Sequence, residues 1–428
     1  MKKRTKTQKL TQKIKETIYS INFMENNRIS ESNFTRHRKM PFPTLIIFLL
    51  SIVKKTLQKE LSDFYKSMKK NINITKSAFS QNRIKLKHTA FIYLNKVFLE
   101  EYYDDKAIKL WKGFRLLAID GSTLKLPSST DIVNFFGTRK RSTMPEARIS
   151  SCFDVLNEIV LDAQISSRKI GEFELAQKHL EVVNKNDLLI YDRGYGAFWL
   201  MFLHLIKGLN FVIRLQEKSF NEVKSFLRSD EFSRIILVDK LSNRSEKRIK
   251  DLNLSFKPFR VRLVKVVLEN GEIEVLATSL LDEEKYSTSI FKDLYFKRWG
   301  VETNFGHLKN NILLEDFTGL TVESIKQDFY ATIFISNYQS LIIDEVNQEY
   351  SDKFSKEKHN YKVNRNLSLG YLKDKIPMLF LKKSPDNIIE ELKKLFLIEM
   401  NPIRNGRKFS RDKSSVIRKY SINHKRSI

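Results

Sequence analysis

Three acidic residues stand at positions where carboxylates could act on phosphate esters. Asp120 and Asp192 each follow a short apolar run typical of a buried strand, and Glu302 lies in a later segment with helical spacing. Phosphodiester cleavage requires charge neutralisation at the phosphate, activation of water or a 3′-hydroxyl and stabilisation of the leaving oxygen. Two divalent ions ~3.5–4 Å apart supply all three. Mg²⁺ prefers oxygen ligands, so these carboxylates predict a two-metal site for phosphodiester chemistry.

A row of polar side chains accompanies Glu302. Tyr295, Arg298, Glu302 and Lys309 fall in one stripe roughly 60° wide if residues 292–310 form a single α-helix. Apolar residues lie immediately beside this stripe, so the polar row borders the buried face of the helix. Two cations and a phenol beside a carboxylate are suited to contacts with a phosphodiester backbone.

Each of these residues also has an ordinary structural explanation. Asp-Gly and Asp-Arg-Gly are common turn sequences, so Asp120 and Asp192 could simply end their strands. Arg298 and Glu302 form an i,i+4 pair, which is usual on a salt-bridged surface helix. The hypothesis of a catalytic site therefore depends on the coincidence of all three acids in one chain.

The apolar runs predict the elements that position the acids. From residue 115 the pattern is strand, strand, strand, helix, strand, helix, strand, with Asp120 ending the first strand and Asp192 the fourth. This order predicts an α/β fold with a ribonuclease-H-like catalytic core. Asn270-Gly271, between two further apolar runs, predicts a hairpin within a β-rich insertion.

These patterns divide the chain into five predicted parts. We expect an all-helical DNA-binding domain over 1–105, the first part of the ribonuclease-H-like core over 106–216, the β-rich insertion over 217–288, the last core helices over 289–345, and a C-terminal helical region with a basic tail over 346–428. In the first part, Thr75 precedes an amphipathic segment on which Arg83 should face outward and Ile84 inward. This segment is either the recognition helix of a helix-turn-helix or an ordinary helix with a basic face.

The charge balance predicts a polyanionic partner. The 428 residues include 77 Lys and Arg against 50 Asp and Glu, a formal net charge of +27. Hydrophobic residues make up 41% of the chain, which excludes a disordered polycation. Basic residues are concentrated in 1–20 and 401–428, where they could bind nucleic acid or could form solvated tails.

Composition also restricts the cellular location and the kinds of metal site that we expect for this chain. The single cysteine, Cys152, excludes a disulfide framework and a cysteine-based zinc site. The longest apolar stretch is far shorter than the ~20 residues that span a bilayer, and no signal peptide is evident. We therefore expect a cytoplasmic protein without membrane contact.

The acids and the polar row together resemble the DDE transposases of bacterial insertion sequences, specifically the insertion sequence four family. Asp120 lies in LLAIDGSTLKLP and Asp192 in LIYDRGYGAFWL, and the later residues match the spacing Tyr-x2-Arg-x3-Glu-x6-Lys at all four positions. The resemblance extends to the helical N-terminal region, the β-rich insertion and the basic C-terminal tail, so it covers nearly the whole chain.

The resemblance implies a DNA transposase that cuts an insertion sequence at its terminal inverted repeats. Such enzymes join the freed 3′-OH ends to target DNA, often after forming a hairpin on the flanking DNA. The implied partners are double-stranded DNA, both transposon ends and target, and a second copy of the chain in a synaptic complex. The implied location is the bacterial cytoplasm, in association with the nucleoid.

The resemblance also implies a role for each site residue. Two Mg²⁺ ions, for which Mn²⁺ can substitute, would be held by Asp120, Asp192 and Glu302. The DNA-binding residues would be Tyr295, Arg298 and Lys309, with help from Arg193 and with Trp299 stacking on a base. For Trp299, a place in the apolar core is the ordinary alternative.

The same residues are also compatible with two other functions. Another ribonuclease-H-like nuclease, such as a resolvase, would share the acids but would not need the Tyr/Arg/Lys row. A catalytically inactive, transposase-derived repressor would bind DNA without cutting it. A Mg²⁺-dependent nicking assay separates these alternatives from a transposase.

Overall fold

The structure is a computed structural model that describes residues 4–36, 38–52, 56–69, 71–104, 107–139, 142–218, 220–353, 360–381 and 384–403. Its helices are α1 Lys6–Tyr19, α2 Ile21–Asn27, α3 Phe42–Ser51, α4 Leu57–Ser67, α5 Lys76–Arg83, α6 Thr89–Asp104, α7 Thr130–Phe136, α8 Glu172–His179, α9 Phe198–Ile206, α10 Asn221–Arg228, α11 Asn243–Asp251, α12 Ile290–Phe296, α13 Trp299–Gly306, α14 Val322–Lys353, α15 Arg365–Leu381 and α16 Asp386–Ile398. Its strands are β1 Arg115–Lys125, β2 Glu146–Asp154, β3 Ile159–Ser167, β4 Asp187–Tyr191, β5 Asn210–Leu215, β6 Ser233–Val238, β7 Phe259–Val267, β8 Ile273–Thr278, β9 Tyr361–Val363 and β10 Met400–Pro402.

A mixed eight-stranded sheet in the order β3-β2-β1-β4-β5-β8-β7-β6 forms the centre of the molecule. β1 pairs antiparallel with β2 and parallel with β4, and β4 pairs parallel with β5. The order 3-2-1-4-5, with α8 and α9 as the crossover helices, is the ribonuclease-H-like arrangement, so the predicted fold class is confirmed. β4 and the first half of β1 are buried apolar runs because helices cover both faces of the sheet.

The strands of residues 217–288 lengthen this same sheet. β8 pairs antiparallel with β5, and β7 and β8 form the predicted hairpin. Gly271 has a φ of 82° in the turn, a left-handed conformation that glycine adopts without steric cost. β6 pairs with β7 and ends the sheet.

Helices from both ends of the chain share one apolar core with a face of the sheet. This core includes side chains of α1, α3, α6, α14, α15 and α16 together with β1, β2 and β3. The long helix α14 covers the outer edge of β3, where the Asn337 amide accepts from the Val160 N–H at 2.7 Å and donates to its carbonyl at 2.8 Å. The opposite face of the sheet packs against α8, α9 and residues of the insertion.

The segment that follows Thr75 forms α5, but the expected orientation of its side chains is wrong at two positions. Arg83 is buried and donates to Gln327, Asp328 and two further groups near the start of α14. Ile84, expected to pack inward, is 65% exposed. The buried Asp328 carboxylate requires a cation as its partner. Arg83 therefore faces inward, although the spacing of the apolar residues on the helix predicts that it faces solvent.

The single helix predicted over 292–310 is also wrong. α12 ends at Phe296, a turn at 297–298 precedes α13, and a π-helical turn occupies His307–Asn311. Gly300 allows α13 to approach the sheet closely, because a Cβ atom there would lie 3.3 Å from Val155 Cγ1. The wider π turn changes the direction of the side chains that follow it.

Some expectations fall outside these residues. Residues 404–428, which hold the basic residues of the predicted C-terminal tail, are not among the described residues, nor are residues 1–3. None of the described helices combines the length and the apolar character needed to cross a membrane. The domain boundaries stay predictions.

Candidate active site

Asp120 and Asp192 lie side by side on the two central strands, directly after the last residues of β1 and β4 that pair with each other. Ile119 on β1 is the register partner of Tyr191 on β4, and these two residues directly precede the two acids. Because β1 and β4 are parallel neighbours, both carboxylates emerge at the carboxyl end of the sheet, where ligands commonly bind in α/β folds.

Glu302 reaches the same place from α13, which packs against β1 and β2. Burial raises the pKa of Asp120 to about 6, and the carboxylates of Asp192 and Glu302 contribute to this rise. The Gly121 N–H and the Arg298 guanidinium oppose it. Since only nearby charges shift a pKa in this way, the structure brings the three acids into one electrostatic environment.

Each of the three carboxylates also has a local hydrogen-bond donor. The donors are the N–H of Gly121 to Asp120 Oδ1 at 2.8 Å, the N–H of Gly194 to Asp192 Oδ1 at 2.8 Å, and Arg298 Nη2 to Glu302 Oε1 at 2.8 Å. Across the described residues, no three His, Cys, Asp or Glu side chains are grouped tightly enough to hold a metal ion. The donor set fits a divalent cation in its chemistry, since three mutually repelling carboxylates are the ligands such an ion prefers. The structure places these carboxylates in one electrostatic environment but not in a closed cluster.

Arg298 and Tyr295 are buried near the acids. Arg298 is 6% exposed, and its guanidinium carbon lies 5.6 Å from the ring centroid of Tyr295 and 5.8 Å from that of Trp299. Burial raises the pKa of Tyr295 to about 12, so its hydroxyl is protonated at neutral pH. Trp299 is 40% exposed, so its alternative place in the apolar core is wrong.

Lys309 points toward the strand that carries Asp120. Its ammonium donates to Ser122 Oγ at 2.6 Å and to the Thr123 carbonyl at 2.7 Å, both on β1. Burial lowers the pKa of Lys309, which Glu315 partly counteracts. Lys309 therefore ties the π-helical turn to β1. Arg193, by contrast, is exposed in a short 3₁₀ helix next to Asp192.

Two residues near Asp120 and Asp192 were not anticipated from the sequence. Tyr195 is buried, and its pKa is raised by burial and by Asp120, Glu172 and Asp192. Among the described residues, its hydroxyl has no hydrogen-bond partner. Glu172 begins α8 and lies so close to Gly121 that a Cβ atom there would be 3.2 Å from Glu172 Cγ. Tyr195 follows the Asp192-Arg-Gly motif directly, a signal that could have been used, whereas no local pattern connects Glu172 with β1.

Asp120 was predicted to end its strand, but it lies within β1, which continues to Lys125 beside β2. The fold and this site define a ribonuclease-H-like protein with an acidic centre where the parallel pairing of its two central strands stops. Within that class, the family model for the transposase DDE domain matches residues 111–338, which include all three acids. The chain belongs to this transposase family.

A curated relative agrees with this assignment. The chain is 22% identical over 236 residues to the transposase InsG for insertion sequence element IS4 of Escherichia coli (strain K12), and the match covers 53% of this chain and 52% of the relative. It thus spans about half the length of that protein. A solved structure, the cryo-EM structure of the piggyBac transposase synaptic complex with hairpin DNA, aligns with 95% of this chain and 88% of its own at a TM-score of 0.49 and 9% identity.

Proposed function

We propose that this chain is the transposase of a bacterial insertion sequence, which cuts the element at its terminal inverted repeats and joins the 3′-OH ends to target DNA. The observation that carries this proposal is the electrostatic convergence of Asp120, Asp192 and Glu302 beside the two central strands of a ribonuclease-H-like sheet. Membership of the transposase family and the likeness to the insertion sequence transposase InsG support it.

In this proposal Asp120, Asp192 and Glu302 hold divalent cations, two Mg²⁺ ions or Mn²⁺ in their place. When bound, such ions neutralise the scissile phosphate and activate the attacking water or 3′-hydroxyl. Arg298 fixes the orientation of Glu302 through the 2.8 Å hydrogen bond to its carboxylate. Tyr295 is buried beside Arg298, with its ring centroid 5.6 Å from the guanidinium carbon.

The exposed residues around the acids then contact DNA. Arg193 and Trp299 border the site and are open to solvent, where a cation can bind a phosphate and an indole can stack on a base. Lys309 donates hydrogen bonds to β1 near Asp120. It therefore contributes to DNA binding partly by holding this strand in position.

A basic groove in the N-terminal helical region is the proposed binding site for the transposon end. It encloses about 500 Å³ beside α5 and is lined by Arg38, Lys39, Lys85 and Gln81 together with other polar and apolar side chains. Lys and Arg neutralise phosphates, and an exposed Gln on a short helix can read a base edge in the major groove. We assign α5 to recognition on this basis, and a second copy of the chain would bind the other transposon end in the synaptic complex.

A nicking assay on DNA that carries the inverted repeats flanking this reading frame tests the proposal. We expect Mg²⁺- or Mn²⁺-dependent cleavage that is lost in Asp120→Ala, Asp192→Ala and Glu302→Ala while DNA binding is retained. Asp293→Ala is the matched control, because Asp293 is an exposed carboxylate on α12 in the same segment. Wild-type binding without cleavage would contradict the proposal and would favour the inactive repressor.

A further inference from the structure

Two buried polar side chains and one partly exposed carboxylate, that of Asp162, lie near Asp120 and take no part in the chemistry described so far. His179 on α8 contacts Asp162 on β3 through Nδ1 at 2.6 Å and Ser150 on β2 through Nε2 at 2.9 Å. His179 and Ser150 are 0% and 1% exposed. Asp162, His179 and Ser150 are called the His179 cluster here.

The protons of the His179 cluster can be assigned by counting donors. Ser150 Oγ lies 3.2 Å from the backbone carbonyl oxygen of Asp120, which can only accept. Ser150 has one hydroxyl proton, so if it donates to Asp120 it must accept from His179 Nε2–H. Nδ1 lies 2.6 Å from Asp162 Oδ2, to which the Gln164 amide also donates at 3.1 Å. The donor count thus assigns a proton to Nε2 of His179.

The hydrogen bond from Ser150 reaches the Asp120 carboxylate through a single peptide group. The Asp120–Gly121 peptide accepts from Ser150 at its carbonyl, and its N–H donates to Asp120 Oδ1 at 2.8 Å. A peptide group is planar, so fixing the carbonyl direction fixes the direction of the N–H that holds the carboxylate. Ser150 therefore contacts the peptide group whose N–H holds the Asp120 carboxylate.

The arrangement Ser-His-Asp resembles that of hydrolases, but burial excludes a nucleophilic role. A nucleophile must reach its substrate, and Ser150 is 1% exposed with its proton directed at a backbone carbonyl. The His179 cluster can act only through the strand that it contacts.

We propose that Ser150, His179 and Asp162 are positioning residues for Asp120, which hold its carboxylate in the orientation that binds the divalent cation. The inference rests on the proposed function of Asp120. Groups that orient metal ligands in this way typically change metal affinity or activity by roughly 10–100-fold when they are removed.

Ser150→Ala and Ser151→Ala form a matched pair of variants. Ser151 is the neighbouring serine, is also 1% exposed, and its hydroxyl has no hydrogen-bond partner in the described parts of the chain. We expect Ser150→Ala in the full-length chain to weaken Mn²⁺ binding, measured by electron paramagnetic resonance, by about tenfold. The nicking rate at saturating DNA should fall similarly, with the DNA concentration for half-maximal rate unchanged. Ser150→Thr, which keeps the hydroxyl, should restore most of both, and Ser151→Ala should match the wild type.

Equal behaviour of Ser150→Ala and Ser151→Ala would overturn the inference, as would a loss explained entirely by a lower melting temperature.

A second measurement depends on neither metal nor DNA. In protein labelled with ¹⁵N-histidine, Nε2 of His179 should show the shift of a protonated ring nitrogen, with the signals identified by their loss in His179→Gln. An unprotonated Nε2 would contradict the proton assignment. If the wild type binds Mn²⁺ in a Ser150-dependent manner but cuts no DNA, the proposed function fails and the positioning role stands.

Discussion

At the scale of single residues, the charge on Asp120 is the main unfavourable feature of the site. Burial and two neighbouring carboxylates raise its pKa to about 6 from the ordinary value of 3.8. The folded chain therefore holds this proton more tightly than the unfolded chain does. The contribution of Asp120 to stability is lost as the pH rises between these two values, and the penalty is constant above about 6.

We predict that Asp120→Asn stabilises the protein at pH 7.5 in the absence of divalent ions. A shift of this size corresponds to up to about 3 kcal/mol in the free energy of unfolding. The difference from wild type should shrink below pH 6 and vanish near pH 4, as measured by thermal unfolding in EDTA. The exposed Asp293→Asn is the control and should show no such pH dependence. An Asn variant that is less stable than wild type at pH 7.5 would refute the electrostatic account.

Lys309 provides a second prediction at this scale. Lys309→Met keeps the length of the side chain but leaves the Thr123 carbonyl without its donor, which should lower the free energy of unfolding by about 1–3 kcal/mol. Lys297→Met is the control, because Lys297 is exposed in the turn before α13. Urea unfolding measures both. An unchanged stability together with a large loss of strand transfer would indicate that Lys309 acts on DNA directly.

At the scale of elements, the attachment of α5 to α14 determines where the basic groove lies relative to the acids. Arg83 at the end of α5 is 4% exposed and makes hydrogen bonds of 2.6–2.8 Å to four groups near the start of α14. One of these is the ion pair with Asp328, whose side chain is 6% exposed. α5 and the helix that covers β3 are therefore joined by buried polar contacts.

We predict that Arg83→Met destabilises the protein by about 3–5 kcal/mol, since removing one partner of a buried ion pair leaves the other charge uncompensated. The double variant Arg83→Met with Asp328→Leu should recover part of this loss. Lys76→Met, an exposed position on the same helix, should be close to neutral. Chemical unfolding of the full-length chain gives the three values. A loss below about 1 kcal/mol for Arg83→Met would mean that the contact is dispensable.

At the scale of the whole molecule, the net charge of +27 is the property that bears on the proposed binding to DNA. Residues 404–428 hold nine Lys and Arg against Asp412 alone, a net charge of 9 − 1 = +8. Such a segment adds phosphate contacts without base specificity if it lies on DNA, and adds nothing if it is solvated.

We predict that truncation after Ile403 weakens DNA binding and flattens its salt dependence. Each lost phosphate contact should reduce the slope of log K against log salt by about 0.9 on duplex DNA. Fluorescence anisotropy at several salt concentrations measures the slope. A Gly/Ser tail of equal length in place of 404–428 is the control for chain length. An unchanged slope of log K against log salt would indicate that residues 404–428 stay solvated and do not contact DNA.

The sequence by itself determined the central strands and their acids. Strands buried on both faces are continuous apolar runs, so Asp120 and Asp192 stand out where those runs end, and their adjacency follows from the parallel order of β1 and β4. The hairpin between β7 and β8 was equally visible, because a tight turn requires particular residues such as Asn270-Gly271. These signals are local, and a local pattern is enough to predict them.

Only the tertiary structure decided which polar side chains meet. Arg83 and Asp328 are 245 residues apart in sequence, and Lys309 and Ser122 are 187 apart. The close packing of Gly300 on α13 against Val155 is also a contact between distant parts of the chain, which helical periodicity does not record. The His179 cluster likewise draws one residue from each of β2, β3 and α8. Such contacts are selected by the need to pair buried charges and donors across the packed elements, and that need arises only once the elements have come together.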